Sequence, residues 1–113
     1  MDVSTTGWTG KVLEIDLSHR THRLIRPDRE RYHSFVGGKG LAGSYLCPHI
    51  TLDYRDPHMP LTFFAGPLVG TAAPTSGRMT IMSRSPQTGT VGDASVGGKL
   101  GTQLKRAGLD GIV

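Results

Sequence analysis

The stretch Leu61-Thr62-Phe63-Phe64-Ala65-Gly66-Pro67-Leu68-Val69-Gly70-Thr71-Ala72-Ala73-Pro74-Thr75-Ser76-Gly77-Arg78 decides how this chain is read. Leu61–Ala65 is a short apolar run of the kind found in a buried strand, and Gly66-Pro67 ends it. Gly66–Gly77 then strings small and hydroxyl residues into a long irregular segment that closes on one arginine, Arg78. Loops of this kind bury too little to stabilise themselves and generally exist to approach a ligand closely. Arg78 brings a planar donor fork suited to phosphate or a polar heterocycle; the competing reading is a surface turn with a solvated arginine.

Outward toward the N-terminus, Gly7–Leu17 reads as a strand in which Leu13, Ile15 and Leu17 alternate with Glu14 and Asp16. Ser18–Thr21 is a polar turn and His22–Arg26 a partner strand, which together make a hairpin. Pro27, with Asp28 and Glu30 behind it, predicts a helix that runs to about Phe35 and stops at Gly37-Gly38. A second helix is expected over Leu41–Leu46, and Thr51–Pro60 is a proline-punctuated loop. Toward the C-terminus, Arg78–Ser83 and Thr90–Ala94 read as strands around a turn at Ser85–Gly89. A helix is expected from Gly97 to Ala107, closed by Gly108. Asp110–Val113 begins like a strand, and as a final strand it is expected to leave an unpaired edge, which is a liability.

Composition bounds the class. The chain has 113 residues, room for one small domain, and 16 glycines and 7 prolines make its backbone bend often. Thirteen Lys and Arg against nine Asp and Glu give a net charge of +4, but no aromatic stripe accompanies Arg20, Arg23, Arg26, Arg29 and Arg31 as a single-strand binder requires. No nucleic-acid partner is therefore expected. The single cysteine, Cys47, excludes an internal disulfide framework and any cysteine-only metal site within this chain, and reads as a small apolar group at a helix end. The five histidines show no metal-ligand spacing. No stretch approaches the ~20 apolar residues of a membrane span, and Met1–Gly10 has no apolar signal core, so no membrane partner and a cytoplasmic location are expected.

Two further glycine clusters carry chemistry. Gly38-x-Gly40-x-x-Gly43 matches the letters of the dinucleotide fingerprint, but a charged, helix-like segment precedes it and no acidic residue stands at the ribose position. It reads as a helix–helix corner, or as amides that reach an anionic cofactor together with Lys39. Gly92-Asp93-Ala94-Ser95-Val96-Gly97-Gly98-Lys99 falls between a strand and a helix, where free amides can cradle an anion. Asp93 and Leu100 stand where a Walker loop needs glycine and Ser or Thr, which excludes that motif. The chain thus has anion cradles without an evident acid, base or nucleophile, the pattern of a cofactor platform; no catalytic residue and no protein metal ligand is expected in it.

Trp8-Thr9-Gly10-Lys11 with Leu13–Leu17, Val36-Gly37-Gly38-Lys39-Gly40-Leu41, Ala65–Thr71 with Ala73-Pro74 and Gly77-Arg78, Ser83-Arg84-Ser85-Pro86, and Gly97-Gly98 with Ala107-Gly108-Leu109-Asp110 occur in an order that resembles the N-terminal domain of the aldehyde ferredoxin oxidoreductase family. The resemblance covers about residues 7–113. It implies an α+β, β-rich, pterin-binding domain with short helices, of which residues 1–113 are the truncated first half. It further implies a tungsten (or molybdenum) enzyme that oxidises aldehydes to carboxylic acids and passes electrons through a [4Fe-4S] cluster to ferredoxin. The cluster and substrate domains, with the cluster's cysteine ligands, would lie outside this chain, which alone is expected to be inactive and poorly stable. By resemblance Arg78 corresponds to an arginine between the cluster and a pterin. Ser95 and Gly97, with Gly98 beside them, correspond to positions contacting the pterin phosphates and their bridging magnesium; the family usually has asparagine where this chain has Ser95. The expected partners are the remaining polypeptide of the enzyme, ferredoxin, the aldehyde and a further copy in a homo-oligomer. The competing expectation is a stand-alone anion- or cofactor-binding module without catalytic activity.

Overall fold

A computed structural model describes residues 7–113; the first six residues of the Met1–Gly10 segment discussed above lie outside it. Six strands form one mixed sheet in the order β2-β1-β6-β3-β4-β5, with three short helices. β1 (Val12–Asp16) and β2 (Thr21–Ile25) make the expected hairpin. The Asp16 carboxylate fixes its turn by accepting from the amides of Ser18 (3.0 Å) and His19 (3.1 Å), and Arg20 takes a positive φ of 55°. The expected strand from Gly7 is shorter than the apolar alternation suggested: Thr9 and Gly10 instead turn their amides toward Asp110.

The helix α1 (Arg29–Phe35) starts two residues after Pro27, because Asp28 is the cap and accepts from the Arg31 amide at 2.8 Å. It does not end on a glycine. Val36 itself takes φ +67°, a costly conformation for a β-branched residue, and its carbonyl accepts the Trp8 indole N–H at 2.6 Å. The helix α2 (Gly38–Leu46) begins three residues earlier than expected, inside the glycine cluster, and runs into a 3-10 turn at Cys47–His49. Gly40 permits this tight corner: a Cβ there would lie within van der Waals overlap of the Phe35 carbonyl. Across the sheet, β3 (Thr62–Ala65), β4 (Met79–Arg84) and β5 (Val91–Val96) form an antiparallel meander. The helix α3 (Leu100–Arg106) starts at Leu100 rather than Gly97, since β5 continues to Val96 and Gly98 turns the chain at φ +78°.

The final strand corrects an expectation. β6 (Gly111–Ile112) is not an exposed edge but lies between β1, which it meets in parallel, and β3, which it meets antiparallel. It joins the hairpin to the meander and completes the six-stranded sheet. Gly111 sits under the Phe64 ring, where a Cβ would overlap the ring carbons. The core lies on the face covered by α1 and α2: Val12, Tyr32, Leu41, Ala42, Leu46, Phe64 and Met82 are buried there, with the Tyr45 ring stacked on Phe64 at 5.4 Å. Fully burying an aliphatic or aromatic side chain contributes about 1.5–3 kcal/mol, and these residues are the main source of cohesion. Among the described residues no helix is long and apolar enough to cross a membrane.

A candidate cofactor-binding site at the beta4–beta5 edge

The three glycine clusters meet at one end of the sheet. Gly37, in extended backbone, packs against the Ala65 carbonyl and Gly66 Cα, where a Cβ would approach both to 3.1 Å. Gly77 faces the Gly98 carbonyl, and Gly101 of α3 lies over the Gly77 carbonyl. Gly70 adopts φ +78° beneath Lys105. The loop between β3 and β4 is therefore clasped between α2 and α3 and does not hang free.

This loop also satisfies its own polar groups. Thr71 Oγ1 donates to the Leu68 carbonyl, and Ser76 Oγ reaches both the Leu68 carbonyl (3.0 Å) and the Ala73 carbonyl (2.8 Å). Val69 is buried under α3, with a Cβ on Gly101 falling 3.2 Å from its Cγ1. The hydroxyls that the sequence offered for a ligand thus hold the loop's shape. Their effect is to fix the point at which Arg78 leaves it.

Arg78 stands immediately before β4, one residue beyond the Met79–Val96 pair and therefore beside Gly97. Its guanidinium Nη1 lies 3.4 Å from Ser95 Oγ, and a Cβ at Gly97 would touch its Cζ at 3.9 Å. The side chain is exposed, and among the described residues no carboxylate pairs with it. Gly98 has open space around it, so its role is the positive φ that turns the backbone over the edge. Arg78, Ser95 and Gly97 lie together, and Gly98 flanks them. The geometry offers a donor fork, a hydroxyl and uncovered backbone, a set suited to an anion.

The sequence reading missed one partner. Lys39 Nζ meets Asp93 Oδ2 at 2.8 Å, which ties α2 to the same face of β5 that carries Ser95. Both groups are exposed, so the pair contributes at most ~1 kcal/mol, and its effect is local placement. The dinucleotide arrangement is absent, because α1 and not a strand precedes Gly38.

A second missed feature lies just before β6. Asp110 is 1% exposed and accepts from four donors: the Thr9 amide (2.9 Å), the Gly10 amide (2.9 Å), Tyr32 Oη (2.6 Å) and Lys105 Nζ (3.0 Å). Burial, reinforced by the bond to Asp110 and its negative charge, holds the Tyr32 hydroxyl well above the ordinary tyrosine range. Lys105 in turn supports Gly70 of the loop. No local pattern announces this cluster, because its members are separated by up to 101 residues. Among the described residues no group of three or more His, Cys, Asp or Glu could hold a metal ion, and Cys47 is exposed, not buried as its apolar reading implied.

Residues 12–113 match the family model described as the N-terminal domain of aldehyde ferredoxin oxidoreductase. The chain is 38% identical over 106 residues to a tungsten-containing aldehyde ferredoxin oxidoreductase of Pyrococcus furiosus, which covers 92% of this chain and 18% of that protein. The corresponding Thermococcus kodakarensis protein is 37% identical, again covering 92% and 18%. An aliphatic sulfonate oxidoreductase, WOR-like subunit, of Pyrococcus furiosus is 28% identical over 111 residues, covering 94% and 18%. Among solved structures, a chain of the active-site complex BamBC of benzoyl coenzyme A reductase, in complex with 1,5-dienoyl-CoA, superposes with a TM-score of 0.91 at 31% identity, covering 95% of this chain and 17% of that one. The chain thus spans less than a fifth of the length of the curated relatives it matches. It belongs to the aldehyde ferredoxin oxidoreductase family and corresponds to the N-terminal domain of those oxidoreductases.

Proposed function

We propose that residues 1–113 are the first part of the pterin platform of a tungstopterin/[4Fe-4S] oxidoreductase, one that oxidises aldehydes to carboxylic acids and passes the electrons to ferredoxin. The observation that carries this reading is Arg78: an exposed guanidinium without a carboxylate partner among the described residues, 3.4 Å from Ser95 Oγ and beside the bare backbone of Gly97. The donor set fits the anionic, heterocyclic pterin with its phosphate and magnesium. When bound, the tungsten–pterin group supplies the two-electron redox chemistry. Arg78 would bind it by charge-assisted hydrogen bonds, Ser95 would offer its hydroxyl or carbonyl, and Gly97 and Gly98 would let it approach the backbone. Among the described residues no group of three or more His, Cys, Asp or Glu could hold a metal ion, and we assign the proton transfers and the iron–sulfur cluster to residues elsewhere in the enzyme. Alone, it is inactive.

The relatives' names mention aldehydes, a sulfonate and benzoyl coenzyme A, while each of them matches 92–95% of this chain. Substrate choice is accordingly assigned to the remainder of the enzyme, and the platform role to this chain. The test joins this chain to the remaining polypeptide of the Pyrococcus furiosus relative and measures pterin retained after gel filtration. Losing charged hydrogen bonds costs about 1.5–3 kcal/mol, so Arg78→Ala should weaken retention roughly 10- to 100-fold. Arg78→Lys should recover part of it. Retention unchanged by Arg78→Ala would refute the assignment.

A further inference from the structure

The sheet has a second face, and the described residues leave it largely bare. The strand registers align Leu24, Leu13, Ile112, Phe63, Ile81 and Ala94 in one row across all six strands, on the side away from α1 and α2. Every residue of that row is apolar, yet none is buried, and Leu24 keeps 56% of its surface exposed. The opposite row, from Val12 through Phe64 to Thr80, is buried under α2. On the bare side, α3 and the Gly66–Gly77 loop with its buried Val69 cover only one end, over Ala65 and Met79. At the other end, in the gap between the end of β1 and Leu61, a groove of about 610 Å³ has Leu17, Leu61, Phe63 and Val113 in its wall alongside polar residues such as Glu14 and His58. A contiguous apolar sheet face calls for a second layer of secondary structure.

We infer that this face is the seat of the polypeptide that, in the longer relatives, continues past the position aligned with Val113, and that it contacts an apolar face of that remainder. This rests on the platform reading under Proposed function. The occupant follows from two observations. The relatives carry more than four fifths of their length outside the part this chain matches, and the matched part is their N-terminal domain. Val113 lines the groove and still pairs with β1, donating to the Leu13 carbonyl (2.9 Å) and accepting from the Ile15 amide (2.8 Å), so chain continuing from its position enters the groove beside the uncovered row. The face is also separate from the Arg78 site, because Arg78 and Ser95 lie on the α2 side of β4 and β5, in the register positions that alternate with Ile81 and Ala94. Cofactor and remainder therefore meet different surfaces of this sheet.

Thiol labelling tests the assignment. With Cys47→Ser as background, Leu24→Cys and Leu61→Cys probe the face, and Arg29→Cys on α1 is the control. Maleimide should label all three at similar rates in the 113-residue chain. When the chain is joined to the remaining polypeptide of the Pyrococcus furiosus relative, Leu24→Cys and Leu61→Cys should slow at least 10-fold while Arg29→Cys stays unchanged. A joined protein that retains pterin but labels at the rate of the lone chain overturns the face assignment and leaves the platform reading standing. A joined protein in which the face is protected but no pterin is retained overturns the platform reading alone. Protection in the lone chain, with a dimer by sedimentation, overturns the inference in favour of a second copy as the occupant.

Discussion

Replacing Asp110 with asparagine should be among the most damaging single changes in this chain. The carboxylate is 1% exposed and the Lys105 side chain 7%, and they lie 3.0 Å apart. Removing one partner of such a pair leaves an uncompensated buried charge, a loss of about 3–5 kcal/mol. Domains of this size have only ~5–15 kcal/mol of stability in total, so Asp110→Asn should abolish a large part of it. Asparagine can still accept from some of the Thr9, Gly10 and Tyr32 donors, which isolates the ion pair as the origin of the loss. Urea unfolding followed by the fluorescence of Trp8, whose ring lies 5.2 Å from that of Tyr32, reports directly on this region. Asp110→Asn combined with Lys105→Met removes the stranded charge and should recover at least half of the loss. A cost below about 1 kcal/mol for Asp110→Asn, or a double variant no better than the single one, would refute the reasoning.

Tyr32 gives a pH signature in the same cluster. Its folded pKa is raised above the ordinary value of 10.0, so above about pH 10 the unfolded chain releases a proton that the folded one keeps. Stability should therefore fall as pH rises past 10, by up to ~1.4 kcal/mol per pH unit from this group, and Tyr32→Phe should remove that part of the slope in urea melts taken across pH 9–11. Two glycines of α2 should behave oppositely. Gly40→Ala places a Cβ on the Phe35 carbonyl and should cost at least ~1–3 kcal/mol by denaturant midpoint. Gly43→Ala meets open space and should stabilise by about 0.5–1 kcal/mol.

Local pattern carried the local structure. The alternation around Leu13 and Ile15 and the Asp16–Arg20 turn specify the hairpin, and Phe63-Phe64 within a short apolar run specifies β3. What escaped was long-range. Nothing in Gly111-Ile112 indicates that these residues pair with strands near residues 12 and 64, because that depends on which partners remain after the hairpin and the meander have formed. Asp110 reads as an ordinary polar residue before a strand until Tyr32 and Lys105 close over it. At the candidate site, Arg78, Ser95, Gly97 and Gly98 were singled out by resemblance to the family, and what brings them together is strand pairing and a glycine turn. Lys39 and Asp93 were both within quoted clusters, but their pairing needs the α2–β5 packing that no single segment encodes. Glycine roles divide in the same way. Gly98 answers to backbone conformation and Gly40 to its own helix–helix corner, whereas Gly37 and Gly111 answer to neighbours distant in the chain.

The most direct test of the platform reading is a crystal structure of this chain joined to the remaining polypeptide of a relative and loaded with cofactor, with diffraction data taken at the tungsten absorption edge. The account predicts pterin density on the α2 side of the β4–β5 edge, within hydrogen-bond distance of the Arg78 guanidinium and of the Ser95–Gly97 backbone. Pterin seated elsewhere, with Arg78 still facing solvent, would contradict it.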